Sequence, residues 1–352
     1  MISVSTPGRI CLLGEHQDYL GLPVISMAIS LRSKITGQKN NSQIIIIHKP
    51  DINKIESFNL DDINYSKPRD YFKSGLKVCQ DEGINFSQGF ECELTSTIPI
   101  QAGMSSSSAI VVSWIHFLSK IADNPPNWST EKIGELAYKA EVLEFSEPGG
   151  MMDQYSTAIG GLIYLEFNPK FKIENFTSNL GTFVIGDSQQ PKETIKILKR
   201  CKTQRISIFR KLKKMNPTFN LKDVSLDEIK DYNLTNNEFS LLDGTLKNRN
   251  FLCLGKNELS NNRPSKRNIG NLLTKHHIIL RDRLKISTPK IEKLIRVSLN
   301  AGAFGAKING SGGGGCMFAY APQNPEIVLN AINNAGGKGY IVNSDNGTTE
   351  IK

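Results

Sequence analysis

Pro99-Ile100-Gln101-Ala102-Gly103-Met104-Ser105-Ser106-Ser107-Ser108-Ala109-Ile110-Val111-Val112 is the stretch on which the reading of this chain turns. A glycine turn leads into four serines, and an apolar run of helical length continues to Phe117 and Leu118. A serine-rich turn that opens a helix leaves several backbone N–H groups without intrahelical partners. With the helix dipole they form a seat for an anion, most often a phosphate. Serine is equally a favoured cap of an ordinary buried helix. Two further stretches, near residues 15 and 312, decide between these readings.

At 352 residues the chain exceeds what one core usually supports. Two domains are expected, 1–168 and 169–352, divided where the composition turns helical and basic. A hydrophobic content of 39% and a charged content of 22% are ordinary for a globular protein. No run approaches the roughly 18–20 apolar residues of a membrane helix. Residues 1–9 lack the charged start, apolar core and cleavage site of a secretory signal, so a cytoplasmic enzyme is expected. The six cysteines form no CxxC pair and read as small buried hydrophobes or bystander thiols. The five histidines show no HExxH spacing, so a metal held mainly by side chains is not expected. A magnesium ion carried by a nucleotide leaves little trace in sequence.

The net charge of +9 is densest between Lys192 and Lys214. Ile195, Ile197, Leu198, Ile206, Ile208, Phe209 and Leu212 interleave with nine basic residues from Lys196 to Lys214, including Arg205. That pattern predicts a long amphipathic surface helix with its charges solvated rather than a nucleic-acid patch. Upstream, Arg9 to Leu13 and Val24 to Leu31 read as strands around a polar turn, Gly14-Glu15-His16-Gln17-Asp18-Tyr19-Leu20-Gly21. Thr130 to Phe145 reads as a helix capped by Thr130, with Ile133, Leu136, Ala137, Ala140 and Leu143 on one face. Strands are expected at 161–167 and 181–185, then broken helical segments over 226–254 and 269–284. Thr288-Pro289 opens a further helix, leading to the glycine run 310–315. The mixed order of strands and helices indicates an α+β fold.

Phosphoryl transfer needs a phosphate cradle, a metal ligand and a base for the acceptor hydroxyl. The chain lacks GxxxxGK[ST] and the HRD and DFG sets, which disfavours P-loop and protein-kinase architectures. Residues 103–108 can supply the cradle instead. Asp153 follows Gly149-Gly150, where backbone can approach a ligand, and opens a helical segment, so it is the candidate base. An aspartate at a helix N-terminus has the same local signature. Arg9, folded beside it, would hold Asp153 ionised. Glu141 could face the cradle and share a metal ion with Ser107. Glu15, His16 and Asp18 suit a polyhydroxylated ligand, since each hydroxyl needs a fixed partner once water is gone. A polar hairpin turn would look alike.

Taken together, these stretches resemble the three motifs of the GHMP kinase superfamily. Pro7-Gly8-Arg9-Ile10-Cys11-Leu12-Leu13-Gly14-Glu15-His16-Gln17-Asp18-Tyr19 resembles GR(V/I)NLIGEHxDY of its galactokinase branch. Pro99 to Ala109 resembles PxGxGLSSSAA, and Gly305 to Cys316 resembles GAKxTGxGxGGC. Gly150-Met151-Met152-Asp153-Gln154 resembles the GIMDQ stretch that carries the branch's base. The resemblance implies an N-terminal domain like the second domain of ribosomal protein S5, a ferredoxin-like C-terminal domain, and a site between them. It implies Asp153 as catalytic base with Arg9 beside the transferring phosphate, and Glu15, His16, Asp18 and Gly150 on the sugar. Gly103, Ser105, Ser106, Ser107, Gly312 and Gly313 would contact ATP, with Ser107 and Glu141 on Mg2+.

Departures from these motifs bear on the acceptor. Gln17 and Leu20 replace a threonine and an asparagine, Gln101 replaces a glycine, Ser108 an alanine and Asn309 a threonine. Gly186 to Thr194 lies where the branch carries an SSEY segment whose tyrosine meets the sugar, and no counterpart stands here. The expected activity is ATP-dependent phosphorylation of the anomeric hydroxyl of galactose. N-acetylgalactosamine, L-arabinose, L-fucose, a uronic acid or mevalonate are alternative acceptors, and a sugar and ATP sensor without turnover is the alternative of another class. Small molecules are the expected partners, with no nucleic acid or membrane, in a monomer or weak homodimer.

Overall fold

The computed structural model describes residues 1–100, 102–168, 170–191 and 194–351. Gln101, and Lys192 and Glu193 within the 186–194 segment, lie outside the described residues.

The long N-terminal strand β1 (Ile2–Leu13) pairs antiparallel with β2 (Val24–Lys39), and the polar turn joins them. Around this pair assemble β3 (Ile44–Lys49), β4 (Lys54–Asn59), β5 (Phe90–Ser96), β6 (Leu162–Glu166) and β7 (Lys172–Phe176). β2 runs eight residues past the expected Leu31 because its outer half pairs with β1 and β5. The division expected at 168/169 falls between β6 and β7, which pair with each other. A second, four-stranded antiparallel sheet holds β8 (Phe183–Asp187), β9 (Gly305–Ile308), β10 (Cys316–Tyr320) and β11 (Lys338–Val342). The final strand β12 (Thr349–Glu350) returns to the edge of β1. The α+β class expected from the order of elements is the one found.

Helices follow the apolar spacing. α1 (Tyr71–Asp81) and α2 (Ser106–Ile121) pack on each other, and α2 lies across β1 and β2. Val111, Val112, Trp114, Ile115, Phe117 and Leu118 of α2 are buried, each contributing about 2 kcal/mol of hydrophobic stabilisation. The serine turn is thereby fixed on a rigid support. α3 (Thr130–Tyr138) is capped by Ser129, whose side chain accepts from Lys132 N, and not by Thr130. The helix then widens into one π turn, Lys139–Leu143, closed by Glu144 N donating to Lys139 O at 3.0 Å. The wider turn shifts the register, so Glu141 is 6% exposed while Leu143, expected on the buried face, is 53% exposed. α4 (Met152–Ile159) follows.

The second half carries α5 (Thr194–Met215), α6 (Asn236–Leu259), α7 (Lys266–Asp282), α8 (Pro289–Asn300) and α9 (Pro325–Asn334). Within 226–254, read as broken, a 3-10 turn over Glu228–Asp231 comes first and α6 then runs unbroken from Asn236, with a complete capping box between Thr235 and Glu238. One apolar seam joins the halves. Ile10, Leu12 and Leu13 of β1 belong to the same buried cluster as Leu252 of α6, Leu272 and Leu273 of α7 and Phe318 of β10.

Candidate active site

A cavity of about 410 Å³ opens where the β1–β2 turn, the N-terminus of α2, the π turn, the N-terminus of α4, the start of α5 and the loop after β9 meet. It collects residues from position 9 to position 311. A larger polar cleft, about 600 Å³, lies between β7 and the α6–α7 connection, with none of the candidate residues on its walls.

At one end is the serine turn. Gly103 has φ +90° and Ser105 φ +57°, and this left-handed pair swings the chain into α2. Ser105, Ser106, Ser107 and Ser108 all line the cavity at the helix N-terminus. The Ser105 hydroxyl is buried with no hydrogen-bond partner among the described residues. A buried, unpartnered hydroxyl beside free helix N–H groups fits an incoming phosphate oxygen.

Arg9, on β1, ties this turn to Asp153. Its Nη1 donates to Gly103 O at 2.7 Å, and Nε and Nη2 both donate to Asp153 Oδ1, at 3.0 and 2.7 Å. Both bonds use one oxygen, which leaves Oδ2 for another ligand. Arg9 is 3% exposed and Asp153 32%. Burial works against the Arg9 charge, yet Asp153 and then Glu15 outweigh it and hold the guanidinium more firmly protonated than free arginine.

Glu141 faces the serines. Gln154 Nε2 donates to its Oε2 at 2.6 Å, and the side chains of Ser108 and Ser107 also bond it. Burial raises its carboxyl above the ordinary glutamate value, and these hydrogen bonds oppose that shift. Among the described residues no cluster of three or more His, Cys, Asp or Glu could hold a metal. One buried carboxylate beside one serine hydroxyl fits magnesium, which takes few protein ligands and keeps phosphate oxygens and water.

The other end is built by the β1–β2 turn. Asp18 Oδ2 accepts from Met152 N at 3.3 Å and packs on Gly150, where an added Cβ would stand 1.9 Å from that oxygen. Only glycine permits this approach. Burial, then the neighbouring Asp153 charge, raises the Asp18 carboxyl to about 6. Glu15 is buried, and its Oε2 accepts from Lys307 Nζ at 3.2 Å and Gly310 N at 2.8 Å. His16, also buried at φ +64°, has Nδ1 2.8 Å from the Tyr19 hydroxyl and Nε2 3.0 Å from Ser311 O. Burial, then the Arg205 charge, lowers the His16 ring to about 3, so it is neutral.

Of the residues singled out in sequence, Arg9, Glu15, His16, Asp18, Gly103, Ser105, Ser106, Ser107, Glu141, Gly150 and Asp153 line one cavity. Gly312 and Gly313 do not. Gly313 N donates to Ile286 O, and a Cβ there would meet Ile197, so these glycines pack under the C-terminal half. Gly310 and Ser311 reach the cavity in their place, with Gly310 seated on the Gly103 carbonyl.

Four residues escaped the sequence reading. Lys307 is fully buried, bonds Cys11 O at 2.7 Å and pairs with Glu15. A lysine within the otherwise apolar strand Gly305–Ile308 was the available signal. Asn309 bonds Gly103 O and Cys11 N, locking the third motif to the first two. Gln154, next to the candidate base, holds Glu141. Arg205, expected on the solvated face of its helix, is 1% exposed. Its spacing with Cys201, Ile208 and Leu212 puts it on the buried stripe.

Comparison with known proteins matches three family models: "GHMP kinases N terminal domain" over residues 70–161, "GHMP kinases C terminal" over 259–338, and "Galactokinase galactose-binding signature" over 2–39. A mevalonate kinase of Thermococcus onnurineus is 30% identical over 98% of this chain and 97% of its own length. A galactokinase of Mannheimia succiniciproducens is 24% identical, covering 91% of this chain and 85% of that one. The crystal structure of Lactococcus lactis galactokinase complexed with galactose superposes with a TM-score of 0.88 at 20% identity, over 99% of this chain and 95% of that chain. The chain belongs to the GHMP kinase family, and is a phosphotransferase with an alcohol group as acceptor.

Proposed function

We propose that this kinase phosphorylates a neutral sugar, galactose first among candidates, at its anomeric hydroxyl, with ATP as donor. The observation that carries this reading is the acceptor end of the cavity. Asp18 stands there on Gly150 beside Asp153, and the only basic side chains on the cavity wall among the described residues are Arg9 and Arg69. Each is already paired, Arg9 with Asp153 and Arg69 with Glu147. Acceptor-only carboxylates without a spare cation suit a ligand rich in hydroxyl donors and disfavour one that carries its own carboxylate. The galactose-binding signature over residues 2–39 supports the same reading. The mevalonate kinases at about 30% identity support mevalonate as the second reading.

The residues divide the work between the two ends. The helix N–H groups and serine hydroxyls at 105–107 hold the donor's phosphates. Asp153 Oδ2 takes the proton of the acceptor hydroxyl as the acceptor oxygen bonds the terminal phosphorus of ATP, whose bond to the bridging oxygen breaks and releases ADP. Arg9 orients that carboxylate and brings positive charge to the transferring group. Ser107 and Glu141 hold magnesium, which when bound neutralises charge on the phosphates. Asp18 and the backbone at Gly150 fix the sugar's hydroxyls.

Incubation with ATP, magnesium and a panel of neutral sugars, followed by phosphorus NMR, tests the reading. A phosphomonoester on an anomeric oxygen is expected. No product from any sugar, with ATP binding intact, overturns it.

A further inference from the structure

Arg205 is the least explained charge in the molecule. It sits midway along α5, far from all three motifs in sequence, and is 1% exposed. No carboxylate pairs with it among the described residues. Leaving a guanidinium buried without a counter-ion is costly unless other acceptors compensate. Its Nε donates to Cys201 O at 2.9 Å, an Nη2 N–H donates to the Tyr19 hydroxyl, and its charge lies 5.3 Å from the centre of the Tyr19 ring.

The bond to Tyr19 sets a direction. The Tyr19 oxygen accepts from Arg205, so its single proton is left to donate to His16 Nδ1. His16 then carries its own proton on Nε2 and donates to Ser311 O. A one-way chain of donors runs from Arg205 through Tyr19 and His16 to Ser311. It crosses from α5 to the β1–β2 turn and on to the loop after β9. Both His16 nitrogens are used within it, and Ser311 adjoins Gly310, which rests on the cradle at Gly103.

We propose that Arg205 is a positioning residue for the phosphoryl acceptor, acting through Tyr19 and His16 to hold the 15–18 turn against Ser311. This rests on the reading that the 15–18 turn receives the acceptor. Arg205 touches neither substrate. Its effect falls on the placement of Asp18, one residue before Tyr19.

The test is two-substrate kinetics on Arg205→Met, Tyr19→Phe and the double variant, with the acceptor that the wild type turns over best. Each single variant is expected to raise the acceptor KM about tenfold or more, with the KM for ATP changed less than twofold. The double variant should be no worse than the poorer single, because both break the same chain. Arg205→Lys, which keeps a donor, should recover part of the loss. Equal rises in both KM values, or independent additive losses in the double variant, overturn the proposal. Should Arg205→Met not fold, Tyr19→Phe and Arg205→Lys carry the same test. Asp18→Asn separates the two levels of the argument. If it leaves the acceptor KM unchanged, the reading of the turn fails. If it raises that KM while Tyr19→Phe does not, the proposal alone fails.

Discussion

The two ends of the cavity are built in different ways. The phosphate end is local: six consecutive residues, 103–108, supply the turn, the serines and the helix start. The acceptor end is assembled from positions far apart, with Asp18 on Gly150, Glu15 on Lys307, and Tyr19 on Arg205. The local device keeps all its phosphate donors on one stretch, with Arg9 and Asn309 bracing it at the Gly103 carbonyl. A composite one fails when any of its distant supports is removed. Chemistry and acceptor choice are therefore expected to be separable by mutation.

The largest effect is expected where the ends meet. Asp153→Asn should lower kcat by about 10³-fold while ATP affinity, read by calorimetry, stays nearly intact. A rate within tenfold of wild type would remove Asp153 from the role of base. Next comes the buried pair. Lys307→Met leaves Glu15 without its cation and should cost about 3–4 kcal/mol of unfolding free energy, read by denaturant titration. Adding Glu15→Gln should return part of that loss, and a double variant less stable than the single would break the account of this support. Gly150→Ala is expected to displace the Asp18 carboxylate and raise the acceptor KM about tenfold, with the KM for ATP unchanged. Parallel changes in both would show that the ends are not separable.

The smallest effect concerns pH. Asp18 binds its proton more tightly folded, at about 6, than at its ordinary value of 3.8. Its contribution to stability is thus fully present below that ordinary value and is lost as pH rises through about 6. Asp18→Asn should therefore raise Tm at pH 8 by about 2 °C and bring no gain at pH 4. Equal gains at both pH values would contradict the raised carboxyl.

The same contrast explains what could be read from sequence. The cradle was legible because its glycine, serines and apolar helix are contiguous, and Asp153 because glycines and a helix start frame it. Glu15, His16 and Asp18 were legible as a polar cluster between strands, but not what each one touches. Lys307 and Arg205 were hidden because their partners lie 292 and 186 residues away. Arg205 was further masked by eight other basic residues on the same stretch, although its place on the stripe Cys201, Ile208 and Leu212 marked it. The π turn was invisible for another reason. Periodicity assumes a constant helical pitch, and one extra residue between Lys139 and Glu144 exchanges Leu143 for Glu141 on the buried face.

The central claim is that the acceptor end is shaped for a neutral polyol rather than a carboxylic acid. The most direct measurement is the ratio of kcat/KM for galactose to that for mevalonate, by ADP release from one enzyme preparation. The account predicts a ratio well above one, by about a hundredfold or more, since a second carboxylate would face Asp18 with no free cation. Turnover of mevalonate with no detectable turnover of galactose or any other neutral sugar would contradict it.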